Sequence, residues 1–321
     1  MEPTRSDTSF RNEARRGIDR VDGSLRILFG ARNLPVLPDS VARLAHMSDD
    51  PRVGPMAFLE TLLADHGLSR EVLNAVNRSW FSPVRPVGRV REAVTVLGTR
   101  QARYVALVAG IGSRMLPHGK EPKGFDRAAF WRHSVATGFA AERLARALGE
   151  SLPETAFVAG LLHDVGLLIL DRNDPAALEG VIERMAEGEP QEEVERDVVG
   201  ATHVEIGRTA GRVWGLPPLV TDAVTHHHDP EVLEGHAFRV AVLVRVADWL
   251  ATEDPASAWS AEELDGTDEV LARLGIDSAR LEVARRGMVA ALDDFEGLLK
   301  VGGRPVSEPV LAAGTGDGEV V

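Results

Sequence analysis

Between Ala156 and Leu170 the chain reads AFVAGLLHDVGLLIL, an apolar run with two ionisable residues, His163 and Asp164, side by side at its centre. A run this apolar belongs in a core, where a carboxylate is costly unless it is paired or coordinates a metal. The fold therefore has to deliver partners to His163 and Asp164 from elsewhere in the chain. Strands are poor candidates for that task. Strand-like alternation is scarce and aromatic residues make up only 5% of the chain, whereas apolar residues recur at steps of three and four. The expected class is all-α, in two helical lobes.

Capping and breaking signals divide the chain. Asp39 or Ser40 is positioned to cap a segment ending near Met47. Helical segments follow at about 55–65, 69–77, 89–97 and 100–116. PHGKEPKG at 117–124 has the composition of a linker. Beyond it, helices are expected near 126–148, 154–170, 175–187, 192–199, 203–214, 217–227 and 236–251. A last amphipathic segment at 278–299 carries Leu281, Ala284, Met288, Leu292, Phe295 and Leu299 on one stripe, facing either the body or a second subunit. The expected division is a polar tail at 1–24, an N-terminal lobe at 25–120, a second lobe at 121–258 and a C-terminal extension at 259–321. The final ten residues, AAGTGDGEVV, have the composition of a disordered tail.

Composition excludes several classes. With no cysteine there is no disulfide framework, thiolate zinc site or cysteine nucleophile. No uninterrupted apolar stretch approaches the length of a membrane span, and the charged start lacks the apolar segment of a secretory signal, so a cytoplasmic protein is expected. The first 120 residues carry 18 Lys+Arg against 12 Asp+Glu, and the remaining 201 carry 18 against 37. An acidic second half disfavours broad nucleic-acid binding. No helix-turn-helix pattern stands out, so direct DNA binding is not expected.

Seven of the ten histidines lie beyond the linker: His133, His163, His203, His226, His227, His228 and His236. His133 falls on the apolar stripe of its helix and points inward, as a core histidine or a ligand. Asp248 repeats the Asp164 problem within AFRVAVLVRVADWLA, where Arg245 is the nearest salt-bridge candidate. Thr202-x-x-Glu205 reads as a capping box that places His203 in a first turn, with Gly207 and Gly211 allowing another backbone to come close. His226–His228 ends a helix, where cationic groups suit the dipole. Imidazole and carboxylate together suit divalent Mn, Fe, Zn or Ni, and metal binding relieves Asp164 and Asp248 at once. More than four candidate ligands point to two metals. A metal-free hydrogen-bonded network is the competing arrangement.

The order His133, His163–Asp164, Asp248 resembles the HD superfamily of metal-dependent phosphohydrolases, with His203, His227 and His228 where dinuclear and trinuclear members, including HD-GYP proteins, place extra ligands. The first half is similar to the HDOD (HD-related output domain) family of bacterial signalling proteins, through Leu34-Pro35-Val36-Leu37-Pro38, Asp65 to Leu68, VLNAVNRSWF and AVTVLG. So is ERDVVGATHVEIGRTAGRVWGLPPLVTDAVTHHHDP, with Glu195, His203, Gly207, Trp214 and Pro217. The likeness covers about residues 25–252. It implies a two-lobed helical regulator that retains the ligand set His133, His163, Asp164, His203, His227, His228 and Asp248. Two departures weigh against cyclic di-GMP hydrolysis: Leu167 stands where HD-GYP proteins usually carry a lysine, and Gly-Tyr-Pro is replaced by DPEVLEGHAF.

Two functions follow as expectations. One is a signalling regulator that binds partner proteins or a nucleotide second messenger, with homodimerisation open. Trp80 and Phe81 beside Arg78 and Arg85 would offer either a contact surface or a packing corner between the lobes. The other is a phosphohydrolase in which His163 and Asp164 are catalytic, Asp164 orients the attacking water, and Arg132, Arg208 or Arg212 clamps phosphate.

Overall fold

The computed structural model describes residues 37–50, 52–78, 86–116, 119–252 and 267–295. Among them there are helices and turns and no strand. In chain order the α-helices are α1 (Asp39–His46), α2 (Pro55–Ala64), α3 (His66–Arg78), α4 (Val90–Leu97), α5 (Thr99–Met115), α6 (Arg127–Ala147), α7 (Pro153–Leu162), α8 (Val165–Asn173) and α9 (Pro175–Ala186). They continue as α10 (Gln191–Val198), α11 (His203–Val213), α12 (Pro218–His226), α13 (Gly235–Thr252), α14 (Thr267–Leu274) and α15 (Ser278–Phe295), with a single 3-10 turn at Pro230–Val232 between α12 and α13. The tails, residues 34–36 and the Trp80–Arg85 cluster lie outside the described residues.

Three expectations change. The single helix expected over 154–170 is two helices, because the backbone breaks at His163–Asp164, the C-cap of α7 and the N-cap of α8. Continuous apolar periodicity cannot reveal that break, since both halves are buried. Neither Asp39 nor Ser40 caps α1, which starts from Pro38; the Ser40 hydroxyl instead donates to Asp65 Oδ2 at 2.6 Å. Helix α14 was not anticipated. Its sequence, TDEVLARL, gives only eight residues in which a helical period could show.

Helix α6 is the axis of the second half, packed by α7, α13 and α15. It is buried along almost its whole length, and Asp126 caps it by accepting from Ala128 N at 2.8 Å and Ala129 N at 2.9 Å. The stripe of α15 faces this body, with Ala284, Met288, Leu292 and Phe295 buried and Phe295 packed edge-on against Phe139 of α6. Leu299 falls outside the described residues. Two glycines set distances that matter for the site. A Cβ on Gly160 would lie 2.9 Å from Thr137 O, so α7 crosses α6 with backbones touching. A Cβ on Gly166 would lie 2.0 Å from His203 O, so only glycine lets α8 meet the start of α11. Gly207 and Gly211 likewise admit α12, against Val224 and Thr221.

The N-terminal helices α1–α5 pack on one another and reach the second half at α6 and α7, where Tyr104 of α5 meets Phe139 and Phe157. Arg103 of α5 forms an ion pair with Glu154 and donates to Met47 O at 3.0 Å. Asp49, in the left-handed region at φ 55°, accepts from the free amides of Glu154 and Thr155 at 3.2 and 2.6 Å, capping α7 from another part of the chain. The stretch Pro153–Asn173 is long and apolar enough to cross a membrane by composition, but 89% of its most apolar window is buried in the fold. Its apolar character is accounted for by the core.

Candidate metal centre

The helix break is what makes the site. His163 and Asp164 leave the line of α7 at a corner, and four other elements point at that corner: α6 with His133, α11 with His203, the end of α12 with His227 and His228, and α13 with Asp248. The expected capping box is present. Thr202 Oγ1 accepts from Glu205 N at 3.3 Å and Glu205 Oε2 from Thr202 N at 3.0 Å, which holds His203 as the first residue of α11.

The seven side chains form two groups. His133, His163 and Asp248 make one, and Asp164, His203, His227 and His228 the other; within each, one candidate ligand atom per residue lies within 4.8 Å of all the others. Asp164 stands between them. Its Oδ2 is 3.3 Å from His163 Nε2, while its Oδ1 is 3.4 Å from His203 Nε2 and 3.6 Å from His227 Nε2. Asp248 Oδ1 lies 2.9 Å from His133 Nε2 and 3.5 Å from His163 Nε2. Arg245, the expected partner of Asp248, instead faces Glu231 at 3.6 Å. Sequence proximity along α13 suggested Arg245, but Asp248 faces the buried side of that helix, toward α6 and α7.

The hydrogen bonds behind the rings decide the chemistry in front of them. His163 Nδ1 is 2.8 Å from Gly160 O and His227 Nδ1 is 3.1 Å from Val224 O. A carbonyl only accepts, so Nδ1 carries the proton and a neutral ring presents a bare lone pair at Nε2. His163 Nε2, His227 Nε2 and Asp248 Oδ1 are buried and make no hydrogen bond, although other polar atoms lie close. The lone pairs converge on shared points instead of being matched with donors. That is the pattern a divalent cation satisfies, and a nitrogen-and-oxygen set of this kind fits it.

Without a cation, protons must offset the buried carboxylates. Burial pulls His163 down, but the facing Asp164 and Asp248 overcome it and hold its pKa well above the ordinary value. Burial and Glu195 oppose each other at His203 in the same way, leaving it raised to about 9. For Asp164, burial favours the neutral acid, and His163 with the other rings outweighs it, keeping its pKa well below the usual range. Asp248 is likewise lowered, by His133 and His163 against burial. His228 moves the other way: burial and the neighbouring rings of His227 and His203 push it well below the ordinary value.

The other histidines stay apart. His226 bonds Asp229 at 3.0 Å, His46 faces Gly215 O, His66 and His236 are exposed, and His118 lies outside the described residues. Of the three arginines, Arg132 is half-buried beside His133 and Arg208 half-buried on α11. Arg212 is exposed, nine residues from His203 and so about 180° around the helix from it. Sequence reasoning left Glu195 out of the site. It is buried on α10 behind His203, with Oε2 2.8 Å from His203 Nδ1. Among Glu192, Glu193, Glu195 and Asp197 the family resemblance singles out Glu195, but it assigns that residue no place behind a histidine.

Residues 34–230 match the profile of the HDOD domain. The chain belongs to the HDOD family. An HDOD domain protein of unknown function from Geobacter sulfurreducens shares the fold at 26% identity and a TM-score of 0.64, over 90% of this chain and 95% of that one. A protein of Marinobacter aquaeolei VT8, provisionally named for signal transduction, superimposes with a TM-score of 0.70 at 24% identity, over 91% of this chain and 66% of its own. A 154-residue stretch is 34% identical to Ribonuclease Y of Thermus thermophilus, covering 48% of this chain and 22% of the relative. The chain thus spans about a fifth of the length of that curated relative. Within the HDOD frame, Leu167 is fully buried, and the chain after His228 forms the Pro230–Val232 turn in place of Gly-Tyr-Pro.

Proposed function

We propose that this HDOD protein is a signalling regulator whose second half is built around two divalent transition metals. The observation that carries the metal part is Asp164, with one carboxylate oxygen turned toward each of two histidine-rich groups. His133, His163 and Asp248 would hold one ion and His203, His227 and His228 the other, with Asp164 serving both. Regulation is favoured over turnover by Leu167. Its side chain is sealed in the core, so α8 offers no cation there to grip a substrate phosphate. In this reading the centre orders the corner where α6, α7, α8, α11, α12 and α13 meet. Protein partners or a nucleotide second messenger would then be bound by that ordered surface.

Phosphodiester hydrolysis is the second reading, favoured by the 34% identity to part of Ribonuclease Y and by the complete ligand set. Divalent metals held here would polarise a phosphoryl oxygen and make water more acidic. Asp164 would orient the attacking water, and Arg132 or Arg208 would meet the phosphate.

Elemental analysis of untagged protein separates the possibilities. Close to two transition metals per chain are expected in the wild type, and none in H163A/D164A. Manganese-loaded wild type is expected to leave a cyclic dinucleotide and a short RNA intact. Turnover of either that is lost in H163A would overturn the regulatory reading. Metal at the level of the double variant would overturn the metal reading.

A further inference from the structure

The two groups are backed differently. Behind His163 and His227 stand backbone carbonyls, Gly160 O and Val224 O, which are neutral acceptors. Behind His203 stands a carboxylate. Glu195 lies 2.8 and 3.0 Å from His203 Nδ1 through its two oxygens, and the 2.8 Å oxygen also accepts from the His203 backbone amide at 2.8 Å. Gln191, one turn earlier on α10, donates to the other oxygen at 2.8 Å. Glu195 is 1% exposed, so water does little to screen its charge. Gly200, at φ 80°, ends α10 by turning the chain back, which is how residues 195 and 203 come face to face.

We propose that Glu195 is a positioning residue that makes the two metal sites unequal, by tightening the Asp164–His203–His227–His228 site alone. The inference rests on the two-metal reading above. A carboxylate on Nδ1 fixes the ring tautomer and plane and passes negative charge into the imidazole, which makes Nε2 a stronger donor to a cation. No comparable group backs His163, which takes part in the other site. That site draws its anionic character from Asp248 and its share of Asp164, both already in direct reach of the ion. Glu195 also anchors the first amide of α11, and this structural role must be separated from the electronic one.

Glu195→Gln makes the separation. The amide oxygen can still accept from both the ring and the backbone, and Gln191 can turn its own amide to offer oxygen to the new NH2, so shape is kept and charge is lost. The experiment is a manganese titration of full-length protein, reading bound metal per chain by equilibrium dialysis and the nuclearity of bound Mn(II) by EPR. The wild type should fill two sites and give a spin-coupled signal. E195Q should keep one site at wild-type affinity and weaken the other by about 10–100-fold. At intermediate manganese the coupled signal should then give way to that of an isolated ion. D248A should weaken the opposite site and leave the Glu195-backed one.

E195Q filling both sites with wild-type affinities overturns the inference, as does equal weakening of both. A wild type that takes up no manganese overturns the two-metal reading and this inference with it. Circular dichroism of the metal-free variants checks folding. Should E195Q fail to fold, Q191A removes the amide that steadies Glu195 and keeps the charge. It is expected to weaken the same site alone, by less than about tenfold, and no shift or a shift at both sites overturns the proposal.

Discussion

Two buried charged assemblies in this chain are built to opposite plans. Arg127 and Asp171 join α6 to α8 by parallel bonds of 2.6 and 2.8 Å, and two further guanidinium donors reach Gly119 O and Lys120 O at 3.0 and 3.1 Å. Donors meet acceptors and the network closes on itself. About the corner at Asp164, ring nitrogens and carboxylate oxygens face one another with too few protons between them, and His163 Nε2, His227 Nε2 and Asp248 Oδ1 are left unbonded. Both assemblies are buried, with His228 half-buried at the second. Burial of charge therefore does not by itself mark a functional site; what marks one is an excess of converging lone pairs.

Breaking the closed network should have the larger effect on stability. Arg127→Ala strands a buried Asp171 and is expected to cost about 3–5 kcal/mol, measured by urea unfolding. The paired replacement R127M/D171L is expected to recover most of that loss, because neither charge is then left alone.

The open assembly should respond to what fills it. At manganese one hundred times the dissociation constant, metal should add about 2.7 kcal/mol to wild-type stability, read as a rise in Tm that chelator reverses. Asp164→Ala should abolish that rise, since Asp164 faces both groups. A metal-dependent Tm that persists in D164A would separate the stabilising ion from this corner.

Protons sharpen the contrast further. His203 is raised to about 9 in the folded chain, with burial opposing and Glu195 dominating, against about 6.5 when unfolded. A raised pKa contributes stability that is complete below the unfolded value and is lost as pH rises through the folded one. Metal-free protein should accordingly lose stability between pH 6.5 and about 9. Metal binding should strengthen over the same interval, because the ion displaces the proton. Unfolding in chelator and manganese titration, each at both ends of that window, test the opposed slopes.

The smallest effect belongs to the joint between the halves of the chain. Asp49→Ala uncovers the amides of Glu154 and Thr155 and is expected to cost about 1 kcal/mol, measured by thermal unfolding. Metal stoichiometry should not change, because α7 is also held along its length by α6.

Much of this was legible before any coordinates. Periodicity located most helices, the Thr202–Glu205 capping box was read correctly, and the apolar setting of His163, Asp164 and Asp248 announced that these groups needed partners. Local signals succeed where the physics is local: a cap satisfies amides within its own first turn, and an amphipathic stripe repeats every three or four residues. They failed at Ser40, whose hydroxyl goes to Asp65 rather than to its own helix, and at Arg245, which turns to Glu231. They also failed at Glu195, which the family resemblance singles out but whose place behind His203, eight residues on, no local signal gives.

Residue types and their spacing determined that the chain is helical and that its second half carries buried histidines and aspartates of the kinds that could hold a metal. Only tertiary structure decided that the apolar run breaks at Asp164, that this carboxylate divides its oxygens between two groups, and that one group has an anion behind it. Those facts depend on backbones touching at Gly160 and Gly166 and on side chains from six helices meeting at one corner. Contacts between residues tens of positions apart leave no period in the sequence, because what sets them is the packing of whole helices.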